Sequence, residues 1–534
     1  MIEFRQAPPR AAFARAHDAV SPPDRYILRG DIVPMAPGSE ALRGGLVCVE
    51  GNTIAAVLAP GDALPPAFAQ AAEIDTRGTI YPGLIDLHNH LTYNHIPLWS
   101  VARRYTNRNT WRTAEPGYVP HVTQPFKVLA DNPDLDYRRA IVRFAECRNL
   151  LGGTTTGQGL SLSSPAGIGT YFKGLMRNVE QPVDPAFPVC SGQTLDFKPE
   201  EIESRLVPAL QTGRPYFYHL SEGTDEAARQ RFLDLRRAGG AWAVAKTLVC
   251  IHCVGLQAAD FDVLRESAGM VWSPTSNLLL YGQTADIAAA RARGVPIALG
   301  ADWAPSGCKN LLGELKVARA VSAHQGGVLP ARELVEAVTS TAAKMIGWDA
   351  QVGTIAPGRR ADLLVLEGTS GDPYTHLIDA QESSILAVLI DGRARLAAGS
   401  FALGDPRSSE AITVGGRPFV LDLVEPADDG LGGMQLSTAI AKLSYGLANL
   451  PSLAAGLQPA FGVLSTSPDE VAYRLVAEME DEDGADDAPG LFAAAAAPET
   501  VALQLDPITA VDDADFARKM RASVNLPDYV KVVF

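Results

Sequence analysis

The chain has 534 residues, 47% of them hydrophobic and 20% charged, and a net charge of -15. That length exceeds one compact core and implies two or three domains. The acidic balance excludes the basic surface that phosphate contacts need, and so nucleic acid as a partner. No apolar run reaches membrane-spanning length, which excludes a membrane partner.

Six cysteines in so long a chain are too sparse for a disulfide framework. The opening MIEFRQAPPRAAFARAH has scattered arginines but lacks the apolar core of a secretory signal, so a cytoplasmic protein is expected. Residues 1–24 read as loose. From 25 to 81 short β segments (YILRGDIV, GGLVCVEG, NTIAAVLAPG, AEIDTRGTIY) alternate with Gly and Asn/Asp punctuation, the pattern of a small antiparallel sheet.

Between 82 and 347 β-like runs alternate with helical stretches, which signals parallel βα units. Eight strand candidates follow in order: GLIDLHNH, GTTTGQGL, GLMRNVE, FPVCSGQTL, PYFYHLSE, TLVCIHCV, GMVWSPTS and VPIALGAD. Helical patterns lie between several of them. YRRAIVRFAECRNLL stops at Gly152-Gly153, and PARELVEAVTSTAAKMIG carries one apolar stripe of Leu334, Val338, Ala342 and Met345. Eight such units give an α/β class and a (β/α)8 TIM barrel. The β segments of 348–412 complete the first sheet, so the barrel is expected to be inserted in a small discontinuous β-sandwich domain. Residues 413–534 form a C-terminal extension without an assigned role. Within it STAIAKLSYGLANL reads as an amphipathic helix and EMEDEDGADDAPGLFAAAAAPE as a solvated acidic loop.

The chemistry gathers at the strand ends. His88 and His90 are two apart, so on a strand both imidazoles face one side, half of a site for a divalent metal. The fifth strand ends in His219 with Glu222 three residues on, the sixth in His252 and the eighth in Asp302. Barrel enzymes place catalysis at these ends, and four of only nine histidines fall there.

With PGLIDLHNH, HLSE, CIHCVGL, SPTSN, LGAD and GTIAPGRRADLLVLE in this order over roughly 26–400, the chain resembles the amidohydrolase superfamily, in its mononuclear aminohydrolase and deaminase branch. The resemblance implies that His88, His90, His219 and Asp302 bind one divalent metal, zinc first and iron second. It makes Glu222 a proton shuttle and gives His252 a hydrogen bond to the metal-bound hydroxide or the substrate. Three imidazoles and a carboxylate leave room for a water whose pKa the metal brings towards roughly 7. Binuclear relatives differ by a lysine at the end of the fourth strand, and FPVCSGQTL has none.

Two features depart from the family pattern. Trp303 follows Asp302 where smaller residues are common, and LTYNHIPLWSVARRYTNRNTWRT after the first strand is long, aromatic and basic. That segment is expected to cap the pocket, with Tyr93, His95, Trp99, Arg103 and Trp303 as candidates to touch substrate or simply to pack. Asn277 in SPTSN closes the seventh strand, in a segment that helps shape the pocket floor in the family; a turn-stabilising Asn is the alternative. Arg103, Arg104, Arg108 and Arg112 bind a carboxylate or face water. His17, His121, His324 and His376 match no motif and are read as structural or surface residues. Hydrolysis of a C–N bond in a small molecule is the expected function, foremost deamination of a heterocycle. Cyclic amide hydrolysis of the imidazolonepropionase kind is the alternative, and a non-catalytic metal-binding scaffold ranks last. Related enzymes are often oligomers, which makes a homo-oligomer an open expectation.

Overall fold

The computed structural model describes residues 3–4, 24–112, 115–159, 162–163, 174–194, 196–399, 401, 409–423, 431, 433–456, 474–475 and 500–534. Most of the N-terminal segment read as loose, His17 within it, and the acidic alanine-rich run lie outside these residues.

Eight short strands stand at the eight expected places: β1 (Leu84–Asp86), β2 (Thr154–Gly157), β3 (Arg177–Asn178), β4 (Ser191–Gln193), β5 (Tyr216–Leu220), β6 (Leu248–His252), β7 (Gly269–Trp272) and β8 (Ile297–Leu299). β1–β3 form a parallel three-stranded sheet and β4–β8 a parallel five-stranded one, both in chain order. Contacts at both edges link the sheets. Cys190 N donates to Val179 O at 2.9 Å between β3 and β4, and Asn89 makes a parallel bridge to Asp302 beyond β1 and β8. The architecture is mixed α/β. β5 and β6 are buried at every residue, as strands covered on both faces must be.

Helices α1 (Arg108–Arg112) and α2 (Asp136–Leu151) follow β1. The seventh candidate strand is shorter than expected: SPTSN leaves β7 and winds into α3 (Pro274–Tyr281), so Asn277 is a helical residue. Proline at the first helical position and Gly282 at φ 67° just past the end explain the boundaries. α4 (Leu311–His324) follows β8, and the Asn310 side chain caps it by accepting from Gly313 N.

The continuous helix expected in PARELVEAVTSTAAKMIG is broken into α5 (Ala331–Glu336) and α6 (Ser340–Met345). Ala337 O accepts from Leu299 N at 3.1 Å and Val338 O from Ile85 N at 2.8 Å. Those carbonyls serve β8 and β1 rather than a helix ladder, which the apolar stripe did not reveal.

Strands from both flanks share one ten-stranded sheet. Ala72–Pro82, just before β1, pairs antiparallel with Leu363–Glu367 and joins the two halves. The sheet runs to Asp422, beyond residue 412, because Ser409–Val414 and Arg417–Asp422 form a hairpin. Gly415 and Gly416 at its turn have φ of 53° and 78°, the left-handed pair a two-residue hairpin turn requires.

In the extension, STAIAKLSYGLANL folds as α7 (Leu436–Ala448). Lys442 of α7 lies 4.4 Å over the Tyr137 ring of α2. Residues 500–534 are docked against the segments that follow β1 and β8, with Lys309 Nζ donating to Pro507 O at 2.6 Å. Glu382 takes the backbone N–H groups of Ala510, Val511 and Asp512 at 2.7–3.0 Å, and Asp506 takes that of Leu98 at 2.7 Å. Among the described residues no helix is long and apolar enough to cross a membrane.

Candidate active site

Four imidazoles and one carboxylate converge at the ends of β1, β5, β6 and β8. The ring centroids of His88 lie 5.0 Å from His90, 4.7 Å from His219 and 4.9 Å from His252. Ligand atoms of His88, His90 and His219 lie within 4.8 Å of one another, and so do those of His88, His252 and Asp302. His88 Nε2 is 2.8 Å from Asp302 Oδ1. Yet among the described residues neither His88 nitrogen has an aligned hydrogen-bond partner, and His219 Nδ1 has none either. Buried lone-pair donors turned toward one another without hydrogen-bond alignment are the arrangement a divalent cation satisfies.

The backbone is bent to achieve this. Ser221, His252, Cys253 and Asp302 have φ between 53° and 68°, in the left-handed region that non-glycine residues rarely adopt. Gly300 is required at its place, since a Cβ there would sit 2.5 Å from His88 Cβ. Asp86, under the His-x-His turn, accepts from Asn89 Nδ2 at 2.9 Å, from Ala301 N at 3.2 Å and from His88 N at 3.3 Å.

Burial favours neutral His219 and His252 beside an ionised Asp302, whereas at His88 burial is outweighed by Asp302, Asp86 and Glu222, which raise the imidazole above its ordinary range. Burial pushes His219 well below the ordinary histidine range, helped by the charges of His88 and His252. Burial brings His252 down to about 4 against the pull of Glu222 and Asp302. Burial opposes ionisation of Asp302, but His88 and His252 outweigh it and hold the carboxyl well below its usual range. Neutral imidazole and anionic carboxylate are the metal-binding forms.

Glu222 lies on the Nε2 side of His252. Its Oε1 accepts from the Tyr281 hydroxyl at 2.6 Å, and its Oε2 is 3.5 Å from Arg108 Nη1 and 3.9 Å from His252 Nε2. The loop after β1 is zipped to this point by Arg108 N to Glu222 O at 3.3 Å and by an antiparallel bridge from Asn107 to Gly223.

A cavity of about 220 Å³ opens beside these groups. Of the expected residues His90, His219, Glu222, His252, Asp302 and Trp303 line it; Trp111, Ser276, Leu280 and Ser306 line it without having been anticipated. A second, polar cavity of about 310 Å³ meets Glu222 from outside, between Arg108, Asp196 and Arg231. His88 lies behind the first cavity, fully buried.

The other candidates are not on the lining. Tyr93 stacks on Phe126 at 4.3 Å. His95 is fully buried, and burial lowers it to about 3. Trp99 packs against Tyr105, Trp111 and Tyr118. The Arg103 side chain is 61% exposed and turns to Glu115. Asn277 bonds His252 Nδ1 at 3.0 Å. Arg108, left open between solvent and carboxylate, is buried and paired with Asp196 at 3.1 Å. Trp111 and Arg108 both lie in the RNTWR stretch of the capping loop. No pattern in the sequence separates them from their neighbours there.

Residues 79–395 match the amidohydrolase family. The chain belongs to that family. Among curated relatives of this amidohydrolase is a 5-methylthioadenosine/S-adenosylhomocysteine deaminase of Symbiobacterium thermophilum, 24% identical over 420 residues that cover 69% of the chain and 93% of the relative. The imidazolonepropionase of Chloroflexus aggregans is 28% identical over 381 residues, 63% of the chain and 87% of the relative. Among solved structures, an adenosine deaminase from Xanthomonas campestris with bound zinc aligns with a TM-score of 0.58 at 17% identity, covering 80% of the chain and 98% of that protein.

Proposed function

We propose that this amidohydrolase deaminates a small nitrogen heterocycle by hydrolysis. The observation that carries the reading is the meeting of His90, His219, His252, Asp302 and Glu222 on one small cavity. In this reading the two parallel sheets are the halves of a (β/α)8 barrel, set between the flanking strands of 25–81 and 348–422. The strand ends then supply the site.

His88, His90, His219 and Asp302 hold one divalent ion, zinc before iron, since imidazole and carboxylate suit both. When bound, the ion makes water acidic enough to attack near neutral pH, with a pKa of about 7. Glu222, between the cavity and the Tyr281 hydroxyl, takes a proton from the attacking water and delivers it to the departing nitrogen. A C–O bond forms, the C–N bond breaks and nitrogen leaves as ammonia. Trp111 and Trp303, stacked with centroids 5.4 Å apart, give a flat aromatic wall against which a planar ring packs.

The test is metal content together with ammonia release from adenosine, 5′-methylthioadenosine, guanine and cytosine. About one ion per chain and ammonia from one of them, with loss of turnover in Glu222→Gln, supports the reading. Full activity of Glu222→Gln overturns the role of Glu222. Hydrolysis of a cyclic amide without ammonia would select the alternative that the imidazolonepropionase relative keeps open.

A further inference from the structure

We infer that Trp272, Thr284 and Asn277 are positioning residues that lock His252 in the tautomer with hydrogen on Nε2, making it a fixed hydrogen-bond donor toward the cavity rather than a metal ligand. The inference rests on the proposed site for its catalytic meaning, but not for its geometry. Trp272 Nε1 lies 2.7 Å from Thr284 Oγ1, Thr284 Oγ1 lies 3.1 Å from Asn277 Oδ1, and Asn277 Nδ2 lies 3.0 Å from His252 Nδ1.

The direction of this chain follows from its first member. An indole N–H only donates, so Thr284 Oγ1 accepts there and its own proton is free to go to Asn277 Oδ1. That leaves the Asn277 amide N–H to donate to His252 Nδ1, which must be the bare nitrogen. In the reverse orientation of the amide, Thr284 Oγ1 would receive two N–H donors and its hydroxyl proton would lose the acceptor it has in Asn277. Trp272 and Asn277 are fully buried, so neither exchanges these partners for water.

The far side of the ring gives an independent argument. His252 Nε2 is 3.9 Å from Glu222 Oε2 and 4.0 Å from Asp302 Oδ2. A lone pair on Nε2 would face the Glu222 carboxylate, whereas an N–H there is attracted to it. The relay thus separates two kinds of histidine in one cluster. His88 and His219 present unpartnered nitrogens for a cation, while His252 has one nitrogen occupied and the other protonated. Setting a tautomer through the second nitrogen is a recognised means of assigning a histidine its role.

The zinc-loaded full-length protein labelled with ¹⁵N-histidine tests this without any substrate. His252, assigned by its loss in His252→Gln, is expected to show a protonated Nε2 and a bare Nδ1. Thr284→Val should mix or invert the two signals, and Thr284→Ser, which keeps the hydroxyl, should restore them. Zinc per chain should be the same in all three. Ammonia release should fall roughly tenfold or more in Thr284→Val and stay within about twofold in Thr284→Ser. A bare Nε2 in the wild-type protein, or an unchanged tautomer in Thr284→Val, overturns the inference. If no ammonia is released from the heterocycle panel while the ¹⁵N pattern holds, the proposed function fails and the tautomer assignment stands.

Discussion

The Tyr281 hydroxyl donates to Glu222 Oε1 at 2.6 Å while itself accepting from Trp111 Nε1 at 3.0 Å. One carboxylate oxygen is thereby fixed, and the other is left toward His252 and the cavity. A hydrogen bond to a charged group is worth about 1.5–3 kcal/mol. Tyr281→Phe should lower kcat by roughly tenfold or more with little change in KM and an unchanged metal content. Steady-state ammonia release and metal analysis check it. In a Glu222→Gln background the same substitution should add almost nothing, because the two residues act as a unit.

Metal removal should cost stability as well as activity. A ligand at about 100 times its Kd stabilises the folded state by about 2.7 kcal/mol. Chelator-treated protein should therefore melt lower and recover on adding zinc. Asp302→Ala and His219→Ala should show neither the recovery nor stoichiometric metal. Calorimetry of the untreated, chelated and zinc-restored protein and of the two variants decides it.

Gly300→Ala probes the crowding behind the site. Its Cβ would meet His88 Cβ at 2.5 Å and His88 O at 2.6 Å. Overpacking of this kind costs about 1–3 kcal/mol, and here it would move a proposed ligand. Denaturant unfolding should show the loss, and metal affinity should weaken more than the stability change alone explains.

Glu314 should give a pH signature. Burial pushes its carboxyl up to about 8, although Thr275 N donates to it at 3.0 Å. The folded protein then keeps a proton that the unfolded chain, titrating near 4.5, has lost. The contribution is complete below about 4.5 and is lost as pH rises towards 8. Glu314→Gln, which is neutral throughout, should flatten stability across that window relative to the wild type. Urea unfolding at pH 5, 6.5 and 8 would reveal it, and equal slopes in both proteins would refute it.

Asn525 ties the extension to the site. Its Nδ2 donates to Arg103 O at 2.9 Å in the capping loop and to Leu279 O at 2.8 Å in α3. Asn525→Ala leaves two carbonyls short of a donor and should cost about 1–3 kcal/mol. Limited proteolysis should cut the loop at 100–105 faster in the variant, and KM should rise more than kcat falls.

Much of this molecule is local in origin. His-x-His on a short strand, HLSE, and the histidine and aspartate closing the sixth and eighth runs were legible because a strand sends alternate residues to one face and the parallel pattern marks where strands end. The eight strand positions followed from the same alternation of runs. Periodicity did not reveal the break at 337–339, because those carbonyls are claimed by β1 and β8, which are distant in sequence. Nor did it reveal the partners of Glu222 and His252. Tyr281 and Asn277 sit on a helix whose first residues the sequence read as the end of a strand, and Arg108 and Trp111 sit in a loop of many similar residues. The docking of 500–534 rests on backbone N–H groups gathered by Glu382, to which composition gives no clue. The sequence by itself determined which residue types stand at the strand ends, because spacing along a strand is a local property. Tertiary structure alone decided what each of them touches, because a hydrogen bond between residues far apart in the chain depends on how the strands and loops are packed.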